Sequence, residues 1–328
     1  MTLVKTCLSI LAVLSGIELA VAQKPVNGLT GVRDTSFTNY SALKNAQKKH
    51  PDIRLVTPFT LPDVREKRNL TYAQYGDRAM QLDVFAPAKP KKGGYPAVLV
   101  IHGGGWRSGD RSQHIPLAQQ LAAHGYVAVT VEYRLSTEAL YPAAVYDLKA
   151  AIRWMRANAK GEQIDPKRIA VLGFSAGGQL ATLVGTTNGD PAFEGNGPNP
   201  SVSSAVQAIV DIDGTLAFIH PESGEGDDSR SVSAATYWFG VNKETRPELW
   251  HEAGALNHVD SQTPPVLFIN SSVDRMHAGR DDMRRKLDAL GIYSEVKSFP
   301  DAPHTFCLFH PWFEPTVEAI VAFLKKQL

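Results

Sequence analysis

The 328-residue sequence predicts an α/β fold with a mostly parallel central sheet and helices on both faces of that sheet. Short, continuous apolar runs alternate with amphipathic segments of helical period along most of the chain. Two of these runs end directly in glycine-rich sequences, at 102–105 and 173–177, as is typical of sites at the carboxyl ends of buried parallel strands. With 43% hydrophobic residues, the chain is long enough to bury one large core.

The chain begins with the features of a signal peptide. Lys5 precedes an apolar stretch at 8–14, and the small residues at 20–22 precede Gln23. The apolar stretch is too short to span a membrane, so we expect cleavage after Ala22 and a secreted or periplasmic protein without stable membrane insertion. Residues 1–22 are accordingly assigned to the signal peptide.

Two further parts are predicted after the signal peptide. Residues 23–68 are polar with little period and form an N-terminal extension. Residues 69–328 form a single domain that carries a long insertion at about 213–263, in the position of a cap. No internal repeat is evident in the sequence.

The elements of the domain follow from local patterns. Alternation of apolar and polar residues at 70–75 and 80–85, around a Gly-Asp turn, predicts an antiparallel hairpin at the edge of the sheet. Apolar or alternating runs predict the later strands, and helical periods, two of them ended by glycine, predict the helices between them. The predicted strands are 95–101, 126–131, 168–172, 206–211, 265–270 and 293–299, and the predicted helices are 115–124, 144–158, 178–184 and 283–290.

The sequence GFSAG at 173–177 places a serine between a predicted strand and a predicted helix. A serine hydroxyl becomes a strong nucleophile only when a base removes its proton, and a sharp turn flanked by glycines leaves room for a histidine to reach it. Ser175 is therefore the candidate nucleophile.

The sequence HGGGW at 102–106 directly follows the strand at 95–101. Backbone N–H groups of residues without side chains can approach the oxygen on which negative charge develops when an ester carbonyl is attacked. Gly104 and Gly105, together with the N–H of Ala176, are the expected oxyanion donors. His102 is expected to hold the loop in shape through hydrogen bonds.

The base and the acid are expected at the carboxyl ends of the last two predicted strands. His304 follows the later strand and would take the proton from Ser175. Asp274 follows the earlier strand and would orient the imidazole. The alternatives that the sequence leaves open are His310 for the base and Asp281 and Asp301 for the acid.

These motifs together resemble the α/β-hydrolase-fold serine esterases, in the branch with an HGGGW oxyanion loop. The resemblance covers roughly residue 69 to the C-terminus and rests on HGGGW with Gly109, on Tyr141-Pro142 before a helix, and on GFSAGG at 173–178. The segment 303–313 is similar to secreted bacterial acetylesterases that act on plant polysaccharides such as xylan or pectin. The resemblance implies removal of acetyl groups from such polysaccharides or their oligosaccharides through an acyl-enzyme on Ser175, with no metal or other cofactor.

Aromatic residues are candidates for binding the sugar part of such a substrate, because aromatic rings stack on the apolar faces of sugars. In the cap insertion the equal alternative is that they form the insertion's own small core. The acidic residues at 222–228 lack the regular spacing of a calcium loop and predict a solvated loop. The tentative substrate-binding residues are Trp106, Trp238, Trp250 and Trp312.

Several other functions are disfavoured by the sequence. The net charge is +1 and no basic run is interleaved with aromatics, so nucleic acid is not an expected partner. A peptidase of this fold would need a separate gating domain, and a binding protein would be expected to lack part of the triad. A general short-chain carboxylesterase and a feruloyl esterase stay open. Cys307, the only cysteine outside the signal peptide, is interpreted as a packed small hydrophobe.

Overall fold

The computed structural model describes residues 26–328, so the predicted signal peptide lies outside the described residues. The strands are β1 Arg54–Leu55, β2 Val64–Tyr75, β3 Arg78–Pro87, β4 Tyr95–Ile101, β5 Val127–Val131, β6 Ile164–Phe174, β7 Ala208–Ile212, β8 Val266–Asn270, β9 Ser294–Ser298 and β10 Phe309–His310. The helices are α1 Asn39–Ala46, α2 Ile115–Ala123, α3 Ala143–Ala157, α4 Ala159–Glu162, α5 Ala176–Thr186, α6 Ala234–Phe239, α7 Pro247–Glu252, α8 Arg280–Ala289 and α9 Phe313–Gln327. Short 3-10 helices lie at Arg111–His114, Pro191–Phe193, Ala255–His258, Asp274–His277 and Phe306–Leu308.

Eight of these strands form the central sheet, in the order β2-β3-β5-β4-β6-β7-β8-β9. The hairpin β2-β3 is antiparallel and pairs antiparallel with β5, whereas all later neighbours are parallel. Parallel strands need helical crossovers, and these crossovers cover both faces of the sheet. The predicted mostly parallel sheet with helices on both faces is confirmed.

The sheet separates two hydrophobic cores. Successive residues of β4 point to opposite faces, so Leu99 packs in one core and Val98 and Val100 in the other. Helices α3 and α5 cover the first core, while α2 and α9 cover the second. The carboxyl ends of the central strands are thereby fixed between two packed layers, and the loops at that edge are built on a rigid base.

The edge strand β2 begins earlier than the sequence pattern indicates. The predicted boundary between extension and domain, at 68 and 69, falls inside β2. The first residues of this strand are polar and partly exposed, with Arg68 paired to Glu66 and stacked over the Phe85 ring. An edge strand that faces water carries little hydrophobic period, which is why the pattern missed it.

The N-terminal extension packs against the domain in its described part, from residue 26 onward. Helix α1 begins with a capping box between Thr38 and Ser41, and it buries Ala42 and Ala46 in the second core. The two-residue strand β1 pairs antiparallel with β10. Among residues 26–328, none of the helices has the length and apolar character needed to cross a membrane.

Candidate active site

Ser175 lies in the sharp turn between β6 and α5, as the sequence predicts. Its backbone has φ 57° and ψ −122°, a conformation that a non-glycine residue adopts only when its surroundings enforce it. A Cβ on Gly173 would lie 1.9 Å from the Gly177 oxygen, and one on Gly177 would lie 2.3 Å from the Ile101 oxygen. Both glycines are therefore required by close backbone contacts, and the turn presents the Ser175 hydroxyl to the cleft.

The structure brings Ser175 and His304 together, and the acid that contacts His304 is Asp213 and not the predicted Asp274. His304 Nε2 lies 2.8 Å from Ser175 Oγ, and His304 Nδ1 lies 3.0 Å from Asp213 Oδ2. Because a carboxylate only accepts, the proton of a neutral imidazole sits on Nδ1, which leaves Nε2 to accept from the serine hydroxyl. This chain of contacts has the geometry of a Ser-His-Asp triad.

Asp213 is held by its surroundings. Its side chain is fully buried, and it accepts from the Ser271 N–H at 2.8 Å and from the Ser271 hydroxyl. These donors and the His304 N–H satisfy a carboxylate that would otherwise be costly to bury.

The prediction that Asp274 orients His304 is wrong in this structure. The Asp274 side chain is 98% exposed, and its ion-pair contact is His277 Nε2 at 3.9 Å. Asp274 opens the 3-10 helix that follows β8, and this helix carries the carboxylate into solvent. The two alternative acids are not at His304 either, because Asp281 pairs with Arg280 and Asp301 is exposed.

The alternative base also lies elsewhere. His310 Nδ1 contacts the Glu314 carboxylate, four residues along the chain, at 3.0 Å. Asp213 has a signal in the sequence that could have identified it, since it comes directly after the buried strand next to the serine's own strand and precedes a glycine. The sequence pattern predicts this residue at the start of the cap insertion instead.

The glycine loop adopts a backbone conformation that suits oxyanion donors. Gly104 has φ +125° and Gly105 has φ +60°, and a Cβ on Gly104 would lie 2.0 Å from the Ser108 oxygen. Both residues and Ala176 line the same cleft as Ser175. Within the described part of the chain, none of their three N–H groups donates to another atom. They are thus free to donate to a ligand oxygen, and Ala176 adds the positive end of α5.

His102 stabilises this loop through hydrogen bonds. Burial, with the charge of Arg33 nearby, lowers the pKa of His102 to about 3, so the ring is neutral. Arg33 donates to Nε2 at 3.4 Å, which leaves Nδ1 to donate to the Gly103 carbonyl at 2.8 Å. The ring also stacks on Tyr133 at 4.4 Å.

The N-terminal extension forms hydrogen bonds with the glycine loop and the residues that follow it. The sequence pattern does not predict this role. Arg33 donates to the carbonyls of Gly109 at 3.0 Å and Tyr133 at 3.1 Å. The Gly109 N–H donates to the Asp34 carbonyl, and the Phe37 N–H donates to Ser108 Oγ. These contacts use polar groups and backbone, so they leave no hydrophobic pattern in the sequence.

Above the triad lies a cleft of about 780 Å³. The glycine loop and Ser175 form its floor, and the described N-terminal extension forms one wall through residues 45–50. The cap insertion forms another wall at Gly224, Glu225 and Ala234, and the loop after β8 adds Arg275. The cleft therefore joins the rigid strand ends to two segments that lie outside the sheet.

Of the four tryptophans proposed to bind substrate, Trp106 lines the cleft. It is only 4% exposed, and its indole N–H donates to Gln179 Oε1 at 2.9 Å. Trp238 and Trp250 are fully buried and belong to the cap's own aromatic core, where Trp238 stacks on Trp106 at 5.0 Å. Trp312 is 7% exposed and packs edge-on against His50.

The sugar-stacking prediction is therefore wrong for Trp238, Trp250 and Trp312, because packing against other aromatic rings withdraws them from the cleft. Cys307 is 2% exposed in the second core, and burial raises the pKa of its thiol well above the usual range. The cysteine is thus placed as a packed small hydrophobe.

Within residues 26–328, no three His, Cys, Asp or Glu side chains are grouped to hold a metal ion.

The chain matches a known protein family and is similar to known esterases. The model of the BD-FAE family matches residues 82–279. Esterase LipC of Mycobacterium tuberculosis is 32% identical over 268 residues, which are 77% of this chain and 64% of LipC. The chain spans smaller shares, 57% and 51%, of two further mycobacterial esterases, LipM and LipQ.

Solved structures share the fold. A truncated carbohydrate esterase from gut microbiota superposes with a TM-score of 0.69 at 24% identity, over 83% of this chain and 100% of that one. An acetyl ester-xyloside bifunctional hydrolase from Caldicellulosiruptor lactoaceticus has a TM-score of 0.62 at 26% identity, over 76% of this chain and 89% of that one. With the mostly parallel sheet, these likenesses confirm the predicted α/β-hydrolase fold.

Proposed function

Because the chain belongs to the BD-FAE family, we propose that it is a serine carboxylic-ester hydrolase that removes acetyl groups from plant polysaccharides or their oligosaccharides. The observation that carries the proposal is the hydrogen-bonded chain from Ser175 through His304 to Asp213, beside three unpaired backbone N–H groups. The named activity of LipC supports the ester-hydrolase part of the proposal. The acetyl ester activity named for the Caldicellulosiruptor structure supports the substrate class.

In the first half of the reaction, Ser175 Oγ attacks the ester carbonyl while His304 Nε2 takes the hydroxyl proton. The electron pair of the carbonyl moves onto its oxygen, which the N–H groups of Gly104, Gly105 and Ala176 stabilise. When the tetrahedral intermediate collapses, the bond to the alcohol oxygen breaks and His304 gives its proton to the leaving alcohol. The acyl group stays on Ser175 as an ester.

In the second half, water replaces the alcohol. His304 takes a proton from the water as its oxygen attacks the acyl carbon, and the same N–H groups stabilise the second oxyanion. Collapse breaks the bond to Ser175 Oγ, which recovers its proton from His304. Asp213 stabilises the protonated imidazole in both halves, because its carboxylate accepts from Nδ1 at 3.0 Å.

The protein is further proposed to be secreted or periplasmic. The charged residue, apolar stretch and small-residue triplet within residues 5–22 support export with cleavage after Ala22. The mass of the mature protein, compared with that of the full sequence, tests the cleavage site.

Replacement of the nucleophile tests the reaction. Ser175→Ala should lower kcat on 4-nitrophenyl acetate by roughly 10⁴ to 10⁶, because no acyl-enzyme can form. The matched control is Ser112→Ala, since Ser112 is exposed outside the cleft and the variant keeps the backbone N–H that donates to the Asp110 carboxylate in the turn before α2. Loss of the Ser112 hydroxyl should leave kcat within about twofold of wild type. A Ser175→Ala variant that kept a tenth of the wild-type activity would contradict the proposal. Release of acetate from acetylated xylan, compared with release of ferulate or methanol from other polysaccharides, tests the substrate class.

A further inference from the structure

The cap insertion contributes to the cleft a carboxylate that the reaction does not use. Glu225 lines the cleft with Ser175 and His304, and its side chain is 13% exposed. Its charged neighbour is Arg275, whose Nη1 lies 3.7 Å from Glu225 Oε1, beyond hydrogen-bond distance. Among the hydrogen bonds of residues 26–328, those of Glu225 involve its backbone N–H and carbonyl and not its carboxylate. The carboxylate therefore has acceptor sites that no donor within residues 26–328 fills.

Glu225 and His304 line the same cleft, so Glu225 can contact the alcohol half of an ester that binds there. Burial raises the pKa of Glu225, and the charges of Arg275, His304 and Lys243 act against that rise. His304 delivers a proton to the leaving alcohol, and the alcohol must therefore sit next to its ring. The acyl oxygen, in contrast, sits against the glycine loop.

A carboxylate beside a guanidinium is complementary to two neighbouring hydroxyl groups. One hydroxyl can donate to the Glu225 carboxylate while the other accepts from the Arg275 guanidinium. The Arg275 side chain is 56% exposed at the mouth of the cleft, so it can adjust to a ligand. A simple alkyl alcohol has no second hydroxyl to offer and would leave both groups without a partner.

We propose that Glu225 and Arg275 form a subsite for the alcohol half of the substrate, which recognises a sugar ring with a free hydroxyl next to the acetylated one. The subsite rests on the proposed ester hydrolysis and deepens it by naming residues that select the substrate. It makes partially acetylated sugars better substrates than simple acetates. It also assigns a function to one residue of the acidic segment 222–228, which the sequence alone indicates as a solvated loop.

The test uses the full chain and two esters that release similar secondary ring alcohols. Methyl 2-O-acetyl-β-D-xylopyranoside has a free hydroxyl beside the ester, whereas cyclohexyl acetate has none. Glu225→Gln should lower kcat/KM on the sugar ester roughly tenfold to hundredfold, mainly through KM, which is the size of one charge-assisted hydrogen bond. On cyclohexyl acetate the variant should stay within about twofold of wild type.

Two further variants act as controls. Arg275→Met should also lower kcat/KM on the sugar ester alone, by less than Glu225→Gln does, because this side chain is more exposed. Asp227→Asn changes a carboxylate of the same loop that is exposed and does not line the cleft, so neither ester should be affected. Unfolding temperatures near that of wild type would show that the variants are folded.

The outcomes separate this subsite from the proposed function. Equal losses on both esters in Glu225→Gln would overturn the subsite, because the residue would then act on the triad or on folding. No loss on either ester would overturn it as well. If wild type hydrolysed cyclohexyl acetate and not the sugar ester, the ester hydrolase would stand and the subsite would fall. If wild type hydrolysed neither ester nor 4-nitrophenyl acetate, both proposals would fall.

Discussion

The loops after β7 and β8 lie side by side at the same edge of the sheet. Each carries an aspartate near its start, but only one of the two is part of the site. After β7 the chain turns at once, with φ +50° at Asp213, and the Asp213 N–H donates to the Ile269 carbonyl of the next strand. After β8 three residues intervene before Asp274, which lies on a short helix and is exposed to solvent. The carboxylate of a triad must be held in a fixed position, and the strand end provides that position. The loop after β7 keeps Asp213 at the strand end, whereas the loop after β8 does not keep Asp274 there.

The two loops nevertheless cooperate. Ser271 is the first residue after β8, and both its N–H and its hydroxyl donate to Asp213. The loop after β8 therefore contributes hydrogen-bond donors to the acid, and not the acid itself.

The largest difference is expected between the two aspartates. Asp213→Asn removes the carboxylate that fixes the imidazole tautomer and stabilises its protonated form, so kcat on 4-nitrophenyl acetate should fall roughly 10² to 10⁴ fold. Asp274→Asn changes an exposed carboxylate and should leave kcat within about twofold of wild type. If the two losses came out reversed, Asp274 would be the acid and the chain after β8 would have to rearrange in solution.

The two loops also show which triad residues can be predicted from the sequence. The structure places the serine and the histidine together as the sequence predicts, because a glycine-flanked turn and a strand end constrain them locally. The position of the acid is not predicted by the sequence, because it depends on the number of residues between each strand end and the aspartate. The predicted strand at 206–211 stops at Asp211, whereas β7 ends at Ile212, so the pattern does not mark Asp213 as the first residue after the strand. Spacing along the chain does not reveal that a 3-10 helix turns Asp274 outward.

The tryptophans and the N-terminal extension show two other limits. An aromatic residue has the same sequence signal in a core as in a binding site, and only packing distinguishes Trp238 from Trp106. The extension contacts the glycine loop through Arg33 and backbone groups, and such contacts have no period that a sequence pattern could detect.

An intermediate effect is expected at Ser271. Ser271→Ala removes the hydroxyl that donates to Asp213 but keeps the backbone donor, so the carboxylate stays in place with one fewer hydrogen bond. We expect kcat to fall roughly tenfold with KM unchanged, since the lost interaction is a hydrogen bond to a charged group away from the substrate. Ser271→Thr retains a hydroxyl and should recover most of the activity. A loss confined to KM, or no rescue by threonine, would contradict this role.

The smallest effect on activity is expected at Asp211, the fully buried neighbour of Asp213 on the same strand end. Burial and the charge of Asp213 raise the pKa of Asp211 well above its usual range, so the fold favours the protonated form of this group. Asn has nearly the same shape as a protonated Asp, and its Oδ1 can still accept from the Gly214 N–H, which lies 2.9 Å from Asp211 Oδ1. Asp211→Asn should therefore keep kcat within about threefold of wild type.

Stability against pH provides the sharper measurement for Asp211→Asn. The pKa of an unfolded Asp is about 3.9, and the pKa of Asp211 in the folded protein lies above that value. Between these two pKa values the folded state binds the proton more tightly than the unfolded state. The stability that this group contributes therefore falls as the pH rises from the unfolded pKa to the folded pKa. Asn has no proton to lose, so the unfolding temperature of the variant relative to wild type should increase between pH 5 and pH 8. Asp211→Ala, the control, leaves the buried Gly214 N–H without an acceptor and should lower the unfolding temperature at both pH values. A variant whose difference from wild type did not change with pH would contradict the raised pKa of Asp211 in the folded protein.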